Sequence, residues 1–168
     1  MPSIRRALNL ATIALSVIAI AAIPAQAVAA ARAVTGTFPI EDHFVDPGPS
    51  DACGFPVTVD VTGIGRFEVL FDAAGNATNV IVHIARTGTF SGNGVTLQEF
   101  DRANLFFDLA SGGQRDAGIE FRVSAGGAPL VFDRGRLLFD ADGNVTFVAG
   151  PRPALDGDFQ AVCAALGG

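Results

Sequence analysis

The sequence contains no tryptophan, no tyrosine and no lysine, and it has only two cysteines and two histidines. Each shortage excludes something. Surfaces that grip sugars or protein partners usually rest on Trp and Tyr, which join a flat apolar face to a polar handle; their absence weakens a carbohydrate-binding module. Every basic residue is an arginine and none are clustered, while acidic residues are in excess. Such a chain is a poor candidate for binding nucleic acid or anionic lipid. The missing lysine reads as a codon-composition bias rather than a device. No serine sits in a nucleophile elbow, since Ser91 and Ser111 lie beside glycines in turns, where small polar residues belong. No glycine-rich loop opens a helix, because Gly92-Asn-Gly94 runs from strand to strand, so a phosphate cradle is excluded as well.

What is present begins with a targeting segment. Arg5 and Arg6 precede a nearly unbroken apolar run from Ala7 to Ile23, and Pro24-Ala-Gln-Ala27 offers an Ala-x-Ala cleavage site. Residues 1–27 are therefore expected to be a cleaved signal peptide rather than a membrane anchor. The remainder, residues 28–168, is long enough for one domain with its own core. Of the 11 basic residues, Arg5 and Arg6 leave with the leader, so 9 face 17 acidic ones and the mature net charge is −8. The expectation is a secreted, extracellular protein with no membrane association after cleavage.

From Val34 onward the chain is β-prone. Val57, Val59 and Val61 alternate with Thr58, Asp60 and Thr62; Phe67, Val69 and Phe71 alternate with Arg66, Glu68 and Asp72; Ile119, Phe121 and Val123 alternate with Glu120, Arg122 and Ser124. Val80-Ile-Val-His-Ile84 is apolar at successive positions, as in a strand covered on both faces. Pro39 marks its segment as an edge or bulged strand, and Asp101-Arg102 interrupts a pattern in the way of a bulge. Val45 to Gly54, with two prolines and two glycines, reads as a loop. One turn occurs twice. Phe71-Asp-Ala-Ala-Gly-Asn-Ala-Thr-Asn-Val80 returns as Phe139-Asp-Ala-Asp-Gly-Asn-Val-Thr-Phe-Val148, each reading as strand, tight turn and strand. Near the C-terminus Phe159, Val162, Cys163 and Leu166 recur at helical spacing behind Asp158, predicting one short amphipathic helix. About eight strands joined mostly by hairpins predict a mainly β, antiparallel up-and-down barrel of lipocalin-like form, with a β-sandwich as the alternative.

No constellation of catalytic residues emerges. His43 follows Glu41-Asp42, and His83 lies on a strand, but their spacing matches no catalytic or metal motif. Asp140-Ala-Asp142-Gly143-Asn144 resembles the start of a calcium loop, yet its glycine comes fourth instead of sixth and a hairpin turn accounts for it better. No metal and no cofactor are expected. Phenylalanine is abundant, 14 residues, and its first use is to fill the interior, by Phe67, Phe71, Phe107, Phe121, Phe132, Phe139 and Phe147. A sharper use is to line a cavity for a small apolar ligand, for which Phe67, Val69, Phe71, Val82, His83, Phe107, Phe121 and Val123 are the candidate wall. Cys53 and Cys163, in a secreted protein, are most simply one disulfide; free thiols or a shared metal site are the alternatives.

The segments Ile40-Glu-Asp-His-Phe44, Cys53-Gly-Phe-Pro-Val-Thr-Val59 and Phe159-Gln-Ala-Val-Cys-Ala-Ala-Leu166 resemble small secreted proteins of high-GC Gram-positive bacteria, which pair a Cys-x-Phe-Pro-like start with a terminal Cys-Ala-Ala-Leu. The resemblance implies secretion and the Cys53–Cys163 pairing, and it implies no activity. Three functional classes remain open from the sequence. The first is a non-catalytic barrel binding a small apolar molecule. The second is an interaction or inhibitor module for an extracellular protein, with Asp46 to Ala52 as its loop. The third is an isomerase- or cyclase-type barrel enzyme that uses His83 or an inward carboxylate as acid–base group.

Overall fold

The computed structural model describes residues 33–167, so the expected leader (1–27) lies outside the described residues. Seven strands follow one another: β1 (Ala33–Val45), β2 (Thr58–Phe71), β3 (Ala77–Gly92), β4 (Val95–Asp108), β5 (Gln114–Ala125), β6 (Ala128–Phe139) and β7 (Val145–Ala149). They form one antiparallel sheet in simple chain order. The up-and-down meander is as predicted; the closure and the eighth strand are not seen. Pro151 and Pro153 end the last strand after five residues, too short to run along the 13-residue β1. A single sheet also replaces the alternative sandwich. Pro39 does lie in an edge strand, since β1 pairs with β2 alone.

One face of the sheet is buried. Val59, Val61, Phe67 and Val69 of β2, Val80, Val82, Ile84 and Phe90 of β3, and Leu97 and Leu105 of β4 all point to it, as do Phe121 and Val123 of β5 and Val131 and Leu137 of β6. The run from Val80 to Ile84 is thus covered on one face only, Ile81 being half-buried and His83 exposed. The buried side chains gather into two cores. One joins Val57, Val59, Val61, Phe90, Leu97, Phe121, Val123 and Val131 to the C-terminal residues Phe159, Val162 and Leu166. The other joins Ile40, Phe67, Val69, Val80, Val82, Ile84 and Leu105 near the opposite end. Phe132 and Phe147 turn outward instead, beneath arginines: Arg134 lies 5.2 Å from the first ring and Arg136 lies 5.1 Å from the second.

Sharing a core across β2 to β6 requires the sheet to curl, and glycines and bulges allow it. Gly118 and Gly135 face each other across β5 and β6 with φ of +133° and +120°. A Cβ on Gly135 would sit 2.0 Å from the Ala149 carbonyl oxygen, so the neighbouring backbone occupies the place of a side chain. The interruption expected at Asp101 falls on the facing strand. Phe100 pairs with Arg122 and Arg102 with Ile119, and on the other side Ile119 pairs with Arg134 while Phe121 pairs with Asp133. Glu120 is therefore the extra residue with respect to both neighbours.

The two copies of the repeated turn share their bonding. Asp72 Oδ1 accepts from the Asn76 amide at 2.8 Å, and Asp140 Oδ1 accepts from the Asn144 amide at the same 2.8 Å. Each Asn side chain donates back to its Asp, and Gly75 and Gly143 take φ of +85° and +80°. These bonds hold both carboxyls below the usual carboxylate range, the Asn76 side chain contributing most at Asp72 and the Asn144 backbone most at Asp140.

Two short helices complete the described residues. The segment expected to be a loop contains α1 (Pro47–Cys53), with Asp46 accepting from the Gly48 amide at 3.0 Å, Pro47 in the first turn and Gly54 left-handed at the end. The predicted C-terminal helix is α2 (Gln160–Ala165). Phe159, Val162 and Leu166 are buried as the spacing required. Cys53 and Cys163 form a disulfide with Cα atoms 5.1 Å apart, joining α1 to α2.

Candidate functional site

Between the two apolar cores the inward face becomes charged. Arg86 on β3 and Asp101 on β4 are register partners and form an ion pair, with Glu99 3.9 Å from the same guanidinium. From the segment after β7, Arg152 reaches Glu120 in a two-pronged pair at 2.7 and 2.9 Å. Asp133 on β6 accepts from the amides of Ala154 and Leu155 at 2.9 and 3.2 Å, which pins that segment to the sheet. Asp116 on β5 accepts from the Gln114 side-chain Nε2 at 2.7 Å. Asp101, Asp116, Asp133, Glu99 and Arg152 are all buried, Asp116 completely. Arg86, Glu99, Asp101 and Asp133 share the inward parity of their strands, whereas Asp116 and Glu120, out of step with Phe121 and Val123, face inward because of the bulge between them.

Electrostatics follow from burial and pairing. Burial pushes the Asp116 carboxyl up to about 7, aided by Glu120 and opposed by the Gln114 hydrogen bond and the Arg152 charge. Burial also raises Glu120, although the hydrogen bond and charge of Arg152 work against the shift. For Arg86, burial disfavours the charged form, but Asp101 and Glu99 outweigh it and raise the guanidinium above its ordinary value. Asp116 thus retains its proton in the fold at pH values where the unfolded chain, at 3.8, has released it. A raised carboxyl lowers stability as pH rises through that window, and the loss is complete above the folded value. Asp116→Asn removes the titration. Its unfolding free energy should match wild type near about pH 4 and exceed it by about 2–4 kcal/mol near about pH 8. Urea unfolding followed by far-UV circular dichroism at both pH values checks this; an equal gap at both would refute it.

The candidate wall residues do not meet in one place. Phe67, Val69, Phe71, Val82 and Phe107 belong to the core near β1 and the β2–β3 turn, whereas Phe121 and Val123 belong to the core under α2. The charged row lies between them. His83 is on the outer face, exposed, with Nδ1 2.6 Å from Asn104 Oδ1. His43 is also exposed and pairs with Asp60. Among the described residues no group of three His, Cys, Asp or Glu is arranged to hold a metal ion.

A concave site of 420 Å³ opens at the end of the sheet where β4 turns into β5, lined by Asn79, Phe106, Phe107, Asp108, Gly113, Gln114, Arg115, Leu138, Phe139 and Thr146. Of the candidate wall residues, only Phe107 belongs to it; Phe139, expected as interior filling, lines it too. Phe107, Gln114 and Phe139 are side-by-side partners across three strands, so an amide sits between two aromatic rings. Gln114 also donates to Asp116, which is fully buried and lies outside the lining. The Arg115 guanidinium lies 4.0 Å over the Phe106 ring at the rim. No protein-family model matches this chain, and no curated protein or solved structure shows significant similarity to it.

Proposed function

We propose that this chain is an exported, disulfide-braced protein whose curled, barrel-like sheet holds a small, largely apolar molecule and performs no chemistry of its own. The observation that carries the reading is the 420 Å³ concavity with Phe106, Phe107, Leu138 and Phe139 on its walls, beside the polar groups of Asn79, Asp108, Gln114, Arg115 and Thr146. That volume and lining suit a small organic ligand. Export is supported by the Arg5-Arg6 and apolar leader pattern and by a disulfide, which persists in oxidising compartments. The likeness at both chain ends to small secreted proteins of high-GC Gram-positive bacteria points the same way. The enzyme alternative keeps an inward carboxylate but loses His83, which faces solvent.

Native mass spectrometry of protein secreted by its own host, compared with its denatured mass, tests the reading. An added mass of a few hundred daltons, lost on denaturation and absent from a Leu138→Arg variant, is the expected result. A bare polypeptide mass in both proteins overturns it. The interaction-module reading draws on a different observation: β7 is an edge strand whose Val145, Phe147 and Val148 are each at least 40% exposed. A protein-sized companion in the same spectrum would favour that reading.

A further inference from the structure

We infer that the outer face of β4–β6 is a docking surface for an extended, acidic segment of a protein partner. This surface is separate from the inward charged row, and the inference does not require the concave site to be occupied. Arginines far apart in the sequence meet here. Arg102 on β4, Arg115 and Arg122 on β5, and Arg134 and Arg136 on β6 all point outward; among the described residues only Arg66, Arg86 and Arg152 lie elsewhere. The acids of the same strands point the other way: Glu99, Asp101, Asp116 and Asp133 are buried, and Glu120 pairs inward with Arg152. Asp108, the last residue of β4, is exposed, but it accepts from the amides of Ala110 and Ser111 in the turn that follows. In a chain with 17 acidic against 11 basic residues, a face kept merely for solubility would mix both signs. This one carries a single sign.

Register sets the spacing. Phe106, Arg115, Leu138 and Phe147 are successive partners across β4 to β7; Ala117 partners Arg136; Ile119 lies between Arg102 and Arg134; and Arg122 lies between Phe100 and Phe132. Arg115, Arg136, Arg134 and Arg122 thus zigzag along the boundary of β5 and β6 in steps of about 7–8 Å. Alternate side chains of an extended peptide repeat at about 7 Å, so acids at every second position meet successive arginines. The guanidiniums are held ready for them. Arg115 lies 4.0 Å over the Phe106 ring, Arg134 5.2 Å over Phe132 and Arg136 5.1 Å over Phe147. A guanidinium stacked on a ring keeps its N–H fork for a carboxylate. Among the described residues none of the five is paired with a carboxylate, and Arg122 donates to the Gly127 carbonyl at 3.2 Å. A long polyanion, whether nucleic acid or polyuronate, would run past this patch onto a protein in acidic excess and be repelled there. A short acidic segment escapes that repulsion.

The probe is a fluorescein-labelled peptide of alternating Glu and Val, with alternating Lys and Val as its opposite, read by fluorescence anisotropy. Wild type should bind the acidic peptide and not the basic one, and more weakly as salt is raised. Arg134→Ala combined with Arg136→Ala should weaken binding about tenfold, the loss of two exposed ion pairs. The corresponding pair of lysine substitutions keeps the charge but gives up the fork, and should recover only part of the affinity. Arg134 and Arg136 are exposed and lie outside the lining of the concave site, so neither folding nor a ligand in that site is at stake in these variants. Arg66→Ala removes an exposed arginine on β2, away from the patch, and should change nothing. No binding by wild type overturns the proposal, as does a loss in Arg66→Ala as large as that in the Arg134 and Arg136 variant. Tighter binding of polygalacturonate, single-stranded DNA or anionic phospholipid vesicles than of the peptide also overturns it, since the partner would then not be a protein segment.

Discussion

Replacing Arg152 by methionine is expected to cost about 3–5 kcal/mol of folding stability, because it strands Glu120 among other buried acids. The pair is bidentate and Arg152 is only 4% exposed. Two acids, Asp133 and Asp101, already act on Glu120 in the unfavourable direction. The loss should therefore be electrostatic more than steric, and this can be separated from simple damage to packing. Adding Glu120→Gln to the variant should restore most of the stability, as the double change leaves no uncompensated charge. The single variant should also recover toward acid pH, where Glu120 takes up its proton. Urea unfolding of the three proteins decides it. A double variant no better than Arg152→Met would show that the segment after β7 is held by Asp133 and the backbone, and that the ion pair is dispensable.

The second large effect concerns the disulfide. Changing both Cys53 and Cys163 to alanine should lower stability by roughly 4–5 kcal/mol on chain-entropy grounds, since the bridge spans 110 residues. In urea that corresponds to a midpoint lower by roughly 2 M for a domain of this size. The effect should be felt first at α2. That helix has six residues, too few to be stable alone, and its Phe159, Val162 and Leu166 complete one of the two cores. Far-UV circular dichroism across a urea series reads the result. An unchanged midpoint would mean that apolar contacts alone seat α2.

The parts of this fold that can be read from sequence are those set by period and turn chemistry. The alternation of Val57, Val59 and Val61 and of Phe67, Val69 and Phe71 placed these residues on the inward face correctly, and the two Asp-x-x-Gly-Asn turns sit where their residues demand. The helix α1 was hidden by its own punctuation. Two prolines and a glycine suggest a loop, yet Asp46 before Pro47 and a left-handed Gly54 after Cys53 are also start and stop signals for a helix. The charged row was half legible. Asp101 shares the parity of Leu97 and Leu105, so its inward direction follows from the strand pattern. Glu120 was not legible, because a period of two carries it to the face opposite Phe121 and the bulge cancels that step. His83 misled for the complementary reason: its strand looked buried on both faces, and only the even positions are. The concave site depends on residues that meet across five strands, β3 to β7, which no local pattern encodes.

The meander order has a consequence for how the molecule assembles. Each strand pairs with the one before it in the chain, so the sheet can grow by adding one hairpin at a time, with short loops to close at every step. Cys53 lies before the second strand, and Cys163 follows the last. In the folded domain the intervening hairpins carry the two sulfurs to bonding distance. The covalent bond thus acts as a latch: it keeps the first and last parts of the domain from opening separately.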